Sequence, residues 1–150
     1  MSQRFARCLR EWAEVFGHRS MRDFVRFAKQ AGISMPQMHT LMRLYHEGAC
    51  GVSDVGAQLG VTNAAASQMI ERLVQQGLVE RTEDVHDRRV KHLSLTARGR
   101  ALVQKGIEAR RRWMDDLPKM LSAERQAAIV AALDYLTQAA RRLEKETPGE

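Results

Sequence analysis

Between residues 62 and 99 the chain changes its hydrophobic period from helix to strand, and that change constrains its fold more than any other feature. The stretch reads TNAAASQMIERLVQQGLVERTEDVHDRRVKHLSLTARG. Ala66, Met69, Ile70, Leu73 and Val74 fall at helical spacing and predict a helix over residues 63–76. Thr62 stands before it as an N-cap acceptor and Gly77 after it as a left-handed stop. The opposite face carries Asn63, Ala64, Ser67, Gln68, Glu71 and Arg72. These side chains are small or hydrogen-bonding, which suits close approach to base edges and phosphates in a major groove. A polar outer face is also the default for any amphipathic helix, so the helix alone does not decide the matter.

The sequel does more. Leu78 to Arg81 and Val90 to Leu95 read as two strands, joined by Glu83-Asp84-Val85-His86-Asp87-Arg88-Arg89. With no Asn-Gly or Asp-Gly pair to mark a tight turn, the connection is expected to be a longer, exposed hairpin. Two adjacent arginines at a projecting tip suit a narrow minor groove, where the negative potential is strongest and a long planar cation fits. Asp87, two residues before Arg89, is placed to hold that guanidinium extended.

These residues resemble the MarR (multiple-antibiotic-resistance regulator) family of winged helix-turn-helix proteins. The resemblance is carried by Leu73, by Gly77-Leu78-Val79-Glu80-Arg81, by Asp87-Arg88-Arg89, and by Leu93-Ser94-Leu95-Thr96 with Gly99 after it. Length and helix order agree over nearly the whole chain. The D-x-R wing followed by L-x-L-T-x-x-G is the specific part, whereas Gly-Leu-Val-x-Arg alone is shared by many winged helices.

The rest of the chain is consistent with that resemblance. Residues 3–30 are helical by pattern, with Phe5, Leu9, Trp12 and Phe16 and then Phe24, Phe27 and Ala28 as an apolar stripe. Gly17 interrupts it, and Ser20 with Asp23 offers a second start, which leaves open one bent helix or two. Ser34 and Gln37 form a capping box with Pro36 in the first turn, and Ile33 can staple to Met38. Met38, Leu41, Met42 and Tyr45 supply the buried face of that helix, and Glu47 to Gly51 is read as a loop. Ser53 is expected to cap a short helix through Leu59, with Asp54 near its positive end, and Gly60-Val61-Thr62 to turn into the recognition helix. Thr96 caps a long helix bearing Val103, Ile107 and Met114, which Asp115-Asp116-Leu117-Pro118 loosens. Ser122 and Glu124 start a last helix whose Ile129, Leu133, Leu136, Ala140 and Leu143 form a heptad-like seam.

Composition narrows the partners. With 150 residues and 44% hydrophobic content the chain can bury a true core. A net charge of +6 favours a polyanion, and the 5% of aromatics are not interleaved with basic residues as a single-strand stacking surface requires. Duplex DNA is therefore the expected partner. No apolar run is long enough for a bilayer and no signal h-region is visible, so no membrane is expected and the location is read as cytoplasmic. Cys8 and Cys50 make no disulfide framework.

The expected fold is mainly α with a small β wing: one MarR-like domain over residues 1–150, with a winged helix-turn-helix lobe at 31–99 and dimerisation helices at 1–30 and 100–146. Apolar stripes at both ends point to a homodimer. The resemblance further implies a sequence-specific regulator, more often a repressor, on an inverted repeat, its two recognition helices in successive major grooves. On that reading Asn63, Ser67 and Gln68 touch base edges, Ser53, Thr62 and Arg72 touch phosphates, and Arg89 enters the minor groove with support from Arg88 and Lys91, while Asp87 orients Arg89. Many relatives carry Arg or Lys where Gln68 stands, and the Ala64-Ala65-Ala66 run offers methyl groups but no donors. Shape readout by the wing is then expected to carry more of the recognition.

The resemblance also implies a small aromatic or phenolic effector, for which Trp12, Phe16, Met38, Met42 and Trp113 with His39 or Arg19 are the expected lining. Some relatives sense oxidants through an N-terminal cysteine, which makes Cys8 a redox alternative, although a lone Cys on an apolar helix is usually a small buried hydrophobe. His39 and His46 are seven apart, unlike a metal-binding i, i+4 pair, and neither a metal nor another cofactor is expected. No nucleophile elbow, phosphate loop, HExxH or paired carboxylates support an enzyme. A winged helix used for protein contact, or for non-specific DNA binding, is the remaining alternative.

Overall fold

The computed structural model describes residues 2–83 and 91–146. Met1–Arg111 and Arg112–Glu150 form two compact units. The first begins with α1 (Ser2–Gln30), a single continuous helix. Of the two alternatives left open by Gly17, the unbroken helix is the one observed. A helix-interior glycine costs about 1 kcal/mol, and the packed face formed by Ser20, Phe24 and Ala28, each buried, outweighs it. Ser20 thus sits inside the helix instead of starting one.

Helix α2 (Met35–Glu47) opens on the expected capping box: the Gln37 amide N–H donates to Ser34 Oγ (3.4 Å) and the Ser34 amide N–H donates to Gln37 Oε1 (2.9 Å). After it come a two-residue strand β1 (Cys50–Gly51), then α3 (Val52–Leu59), α4 (Asn63–Gln75), β2 (Val79–Glu83), β3 (Lys91–Leu95) and α5 (Ala97–Arg111). The segment read as a loop after Glu47 therefore ends in a strand. Cys50 pairs with Leu93 and Gly51 with His92, making an antiparallel sheet of order β1-β3-β2. A two-residue strand has no alternation to read, so only its partner reveals it.

Helix α3 also starts differently from expectation. Gly51 occupies the N-cap position and its amide N–H donates to the Asp54 carboxylate (2.8 Å), while Ser53 lies exposed in the first turn. The carboxylate at the third helical position takes over the capping role assigned to Ser53. Helix α4 ends as expected. The Gly77 N–H donates to Val74 O and the Leu78 N–H to Leu73 O, with Gly77 at φ +66°, the paired bonds of a Schellman stop.

The core lies where α2, α4, α5 and the sheet meet. Met38, Leu41, Ile70, Leu73, Leu93 and Val103 are all fully buried there, and Ile33 and Met38 both belong to it. The Thr96–Gly99 signature closes this core at the root of the sheet. The Thr96 hydroxyl donates to Gly77 O (2.7 Å) and accepts from the Gly99 N–H (3.0 Å), and the Thr96 N–H donates to Leu78 O (3.2 Å). A Cβ on residue 99 would come within 2.0 Å of that same Leu78 oxygen, so only glycine fits. Helix α5 runs against α1, where Gly106 lets the rings of Phe24 and Phe27 approach its backbone.

In the second unit a 3₁₀ stretch (Arg112–Met120) containing Pro118 leads to α6 (Ala123–Glu146). The loosening expected at Asp115–Pro118 is this stretch. Ser122 Oγ accepts from the Arg125 N–H (3.4 Å), and the Gln126 side-chain amide donates to the carbonyls of Pro118 and Leu121 (3.0 Å each), fixing the turn between them. None of the residues of α6 is buried. Among the described residues no helix is long and apolar enough to cross a membrane.

Candidate nucleic-acid interface

Helices α3 and α4 form a helix-turn-helix. Gly60 takes the left-handed conformation (φ +63°), the Val61 N–H donates to Gly56 O (3.0 Å), and Thr62 Oγ1 caps α4 by accepting from the Ala65 N–H (3.2 Å). The two helices meet closely at Gly56, where an added Cβ would lie 3.0 Å from Asn63 Oδ1 and 3.3 Å from Val61 O. The amide oxygen of Asn63 therefore lies back over α3, although the residue as a whole is exposed.

Helix α4 buries Ala66, Ile70 and Leu73 and presents Asn63, Ala64, Ala65, Gln68, Glu71 and Arg72 outward, with Ser67 half-buried between the two faces. Ser53 and Thr62 are exposed on the neighbouring turn and helix. Asn63, Ser67, Gln68, Glu71 and Arg72 recur at helical spacing along one face of α4. Asp87, Arg88 and Arg89 lie outside the described residues, and Lys91 enters as the first residue of β3.

Two polar contacts fix this surface and were not read from the sequence. Arg81 Nη2, from β2, lies 3.2 Å from Glu71 Oε2 on the recognition helix, tying α4 to the strand that leads into the hairpin. Ser94 Oγ donates to Glu80 Oε1 (3.2 Å) across the β2–β3 pair. On the other side, Arg43 of α2 reaches α3: Nε donates to Glu47 Oε2 (2.8 Å), and Nη1 donates to Asp54 O (2.9 Å) and Gln58 Oε1 (3.2 Å). The hydrogen bond to Glu47 raises the Arg43 pKa; desolvation opposes it, and the charges of Cys50, Glu47 and Asp54 add to the rise. The i, i+4 spacing of Arg43 and Glu47 was visible in the sequence; the reach to α3 depends on how two helices pack and was not.

A cavity of about 620 Å³ opens beside Arg43, walled by Met21, Phe24, Met35, Met42 and Leu59 with His39, His46 and Arg110 among its polar groups. His39 and Met42 of the expected effector lining are there. Met38 is instead fully buried in the core beside Leu41. Trp12 and Arg19 are exposed and Phe16 half-buried on α1, away from this lining, and Trp113 is a buried residue of the second unit. Cys8 is exposed on α1, so it is not the buried hydrophobe that a lone helical cysteine usually is. Cys50 is half-buried in β1, and burial pushes its thiol pKa up, against the lowering charge of Arg43.

The MarR family model matches residues 33–91, which span α2, the helix-turn-helix and β2 and end at the first residue of β3. The chain is also similar to the HTH-type transcriptional repressor MdtR of Bacillus subtilis (strain 168), with 32% identity over 120 residues, 79% of this chain and 76% of MdtR. The chain belongs to the MarR family. Its fold is similar to that of the transcriptional regulator Tm0710 from Thermotoga maritima, with a TM-score of 0.80, 27% identity and 99% of each chain covered. It is similar as well to a variant of S. aureus MepR bound to an oligodeoxyribonucleotide, with a TM-score of 0.68, 24% identity, and 88% of this chain and 97% of MepR covered. This MarR chain is a helix-turn-helix transcriptional regulator, and its relatives are regulators, not enzymes.

Proposed function

We propose that this MarR protein is a repressor that binds an inverted-repeat operator as a homodimer and is released by a small ligand. The observation that carries the reading is the outward face of α4, where Gln68 and Arg72 stand exposed beyond a capped, glycine-containing turn while Ala66, Ile70 and Leu73 anchor the helix in the core. Asn63, Ser67 and Gln68 read base edges, Ser53, Thr62 and Arg72 meet phosphates, and Arg89, oriented by Asp87 and supported by Arg88 and Lys91, enters the minor groove. The MepR variant of similar fold is bound to an oligodeoxyribonucleotide, and MdtR is described as a repressor; both support the reading.

Residues 31–99 serve as the DNA-binding lobe, and residues 1–30 and 100–146 as dimerisation helices. Phe5, Leu9 and Trp12 on α1 and Ile129, Leu133 and Leu143 on α6 leave apolar faces at 40–65% exposure, which a second copy covers. The effector is an aromatic or phenolic molecule whose apolar body meets Met21, Phe24, Met35 and Met42 in the cavity of about 620 Å³. It acts to the extent that it prefers a dimer geometry unfit for DNA.

The test is selection from a randomised duplex pool at moderate salt, after a salt titration on random duplex. An enriched inverted repeat bound by a dimer supports the proposal. Salt-sensitive binding with no enriched sequence would establish a non-specific DNA-binding protein, and no binding at low salt a module for protein contact. Against the selected duplex, Arg89→Ala is expected to weaken binding by about 1–3 kcal/mol, the range of one good DNA contact. Unchanged affinity removes Arg89 from the interface.

A further inference from the structure

We infer that Arg43 is a positioning residue for DNA recognition, setting the attitude of α3 and through it the helix-turn-helix without itself touching DNA. The inference rests on the DNA-binding reading above and adds to it a residue that lies on neither helix of the motif.

Helix α3 is eight residues long and holds to the lobe by the buried Val55 and Gly56, with Val52 and Leu59 half-buried against the core. These four residues share one face of a two-turn helix, so a polar contact on its flank adds a constraint on its roll that the apolar face alone does not supply. Asp54 and Gln58 are four apart and mark that flank, and Nη1 of Arg43 donates to both, at 2.9 Å to the Asp54 carbonyl and 3.2 Å to Gln58 Oε1. Glu47, one turn after Arg43 on α2, accepts from Nε–H at 2.8 Å and fixes the plane of the guanidinium. A rigid planar fork with three acceptors from two helices defines an angle as well as a distance, which a single point charge cannot do.

The rest of the path has little slack. Gly56 of α3 lies against Asn63 and Val61, with only 3.0 to 3.3 Å for any atom added between them. A roll of α3 is therefore passed to the N-terminal turn of α4, where Asn63 and the Thr62 cap sit. The clasp contributes little to folding, because Glu47 is 61% exposed and a partly exposed ion pair is screened by water. Its effect falls on alignment, and recognition of a specific site depends on alignment far more than non-specific phosphate contact does.

Two variants of the full chain test this. Arg43→Lys keeps the charge and loses the fork; Gln58→Leu removes one acceptor from the exposed side of α3. Each is expected to weaken binding to the selected duplex by about tenfold, within the range of one DNA contact, and to leave binding to random duplex at the same salt nearly unchanged. The double variant is expected to be no weaker than the worse single, because both break one clasp. Equal losses on both duplexes, additive losses, or full retention of specific binding would each overturn the inference. Amide hydrogen exchange in the free protein supplies a readout independent of DNA. Exchange over residues 52–59 should rise in both variants while α2 and β3 keep their rates, and unchanged exchange in α3 overturns the inference even if no selective duplex is found.

Discussion

In α4, Ala66, Ile70 and Leu73 follow one another at intervals of four and three and are buried to 1% exposure or less. In α6, Ile129 and Leu133 keep the same spacing and stand 42% and 45% exposed. The first half of α1 sides with α6, with Phe5 at 58% and Trp12 at 42%, while its second half, through Phe24 and Ala28, sides with α4. Periodicity thus fixes which side of a helix is apolar, but what covers that side is a separate matter. For α4 the cover comes from this chain; for α6 and the start of α1 the proposed cover is a second copy.

The contrast can be broken by substitution. Ile70→Ala is expected to cost about 4 kcal/mol, since the site is enclosed by Leu73, Leu93 and their neighbours and cannot collapse. Chemical denaturation should show that loss equally at low and high protein concentration. Leu133→Glu is expected to leave the fold of one copy intact and to raise the dimer dissociation constant by about thirtyfold, equivalent to about 2 kcal/mol. Sedimentation across a dilution series measures it, and a variant that stays paired places the dimer contact elsewhere. Thr62→Ala removes the α4 cap, for about 1 kcal/mol of stability, with no dependence on protein concentration. The smallest effect is chemical. Cys8 should alkylate rapidly in dilute protein and more slowly as copies pair over its end of α1. Cys50, half-buried with its thiol pKa pushed up, should stay slow at neutral pH at every concentration.

What could be read in advance was what lies close in sequence. The Ser34–Gln37 box, the Thr62 and Thr96 caps and the Gly77 stop are each complete within about four residues, so residue type and spacing suffice. The exceptions are also local but turn on competition. Asp54 reaches the Gly51 N–H and moves the start of α3 back from Ser53, and a packed face carries α1 through Gly17. Strand β1, the Arg81–Glu71 pair and the Arg43 clasp join residues ten to forty-three apart, and no pattern within one element announces them. The cavity escaped for a related reason: Met38 and Met42 are one turn apart on α2, yet one points into the core and the other to the cavity wall.

The close fit of Gly99 against the Leu78 carbonyl bears on how movement travels. Thr96 is bonded to both Gly77 and Leu78, and residue 99 leaves no gap, so the start of α5 and the root of the sheet form a joint without play. Rotation at that joint cannot be absorbed as bending; it is delivered to the strands as a lever delivers it. Strand β2 is five residues long, roughly 17 Å, so a tilt of about 5° in α5 moves its far end by about 1.5 Å. The same tilt moves Gly106, seven residues along α5 from Gly99, by about 0.9 Å, so a shift at the hairpin's base is coupled to the packing of Phe24 and Phe27 on that glycine.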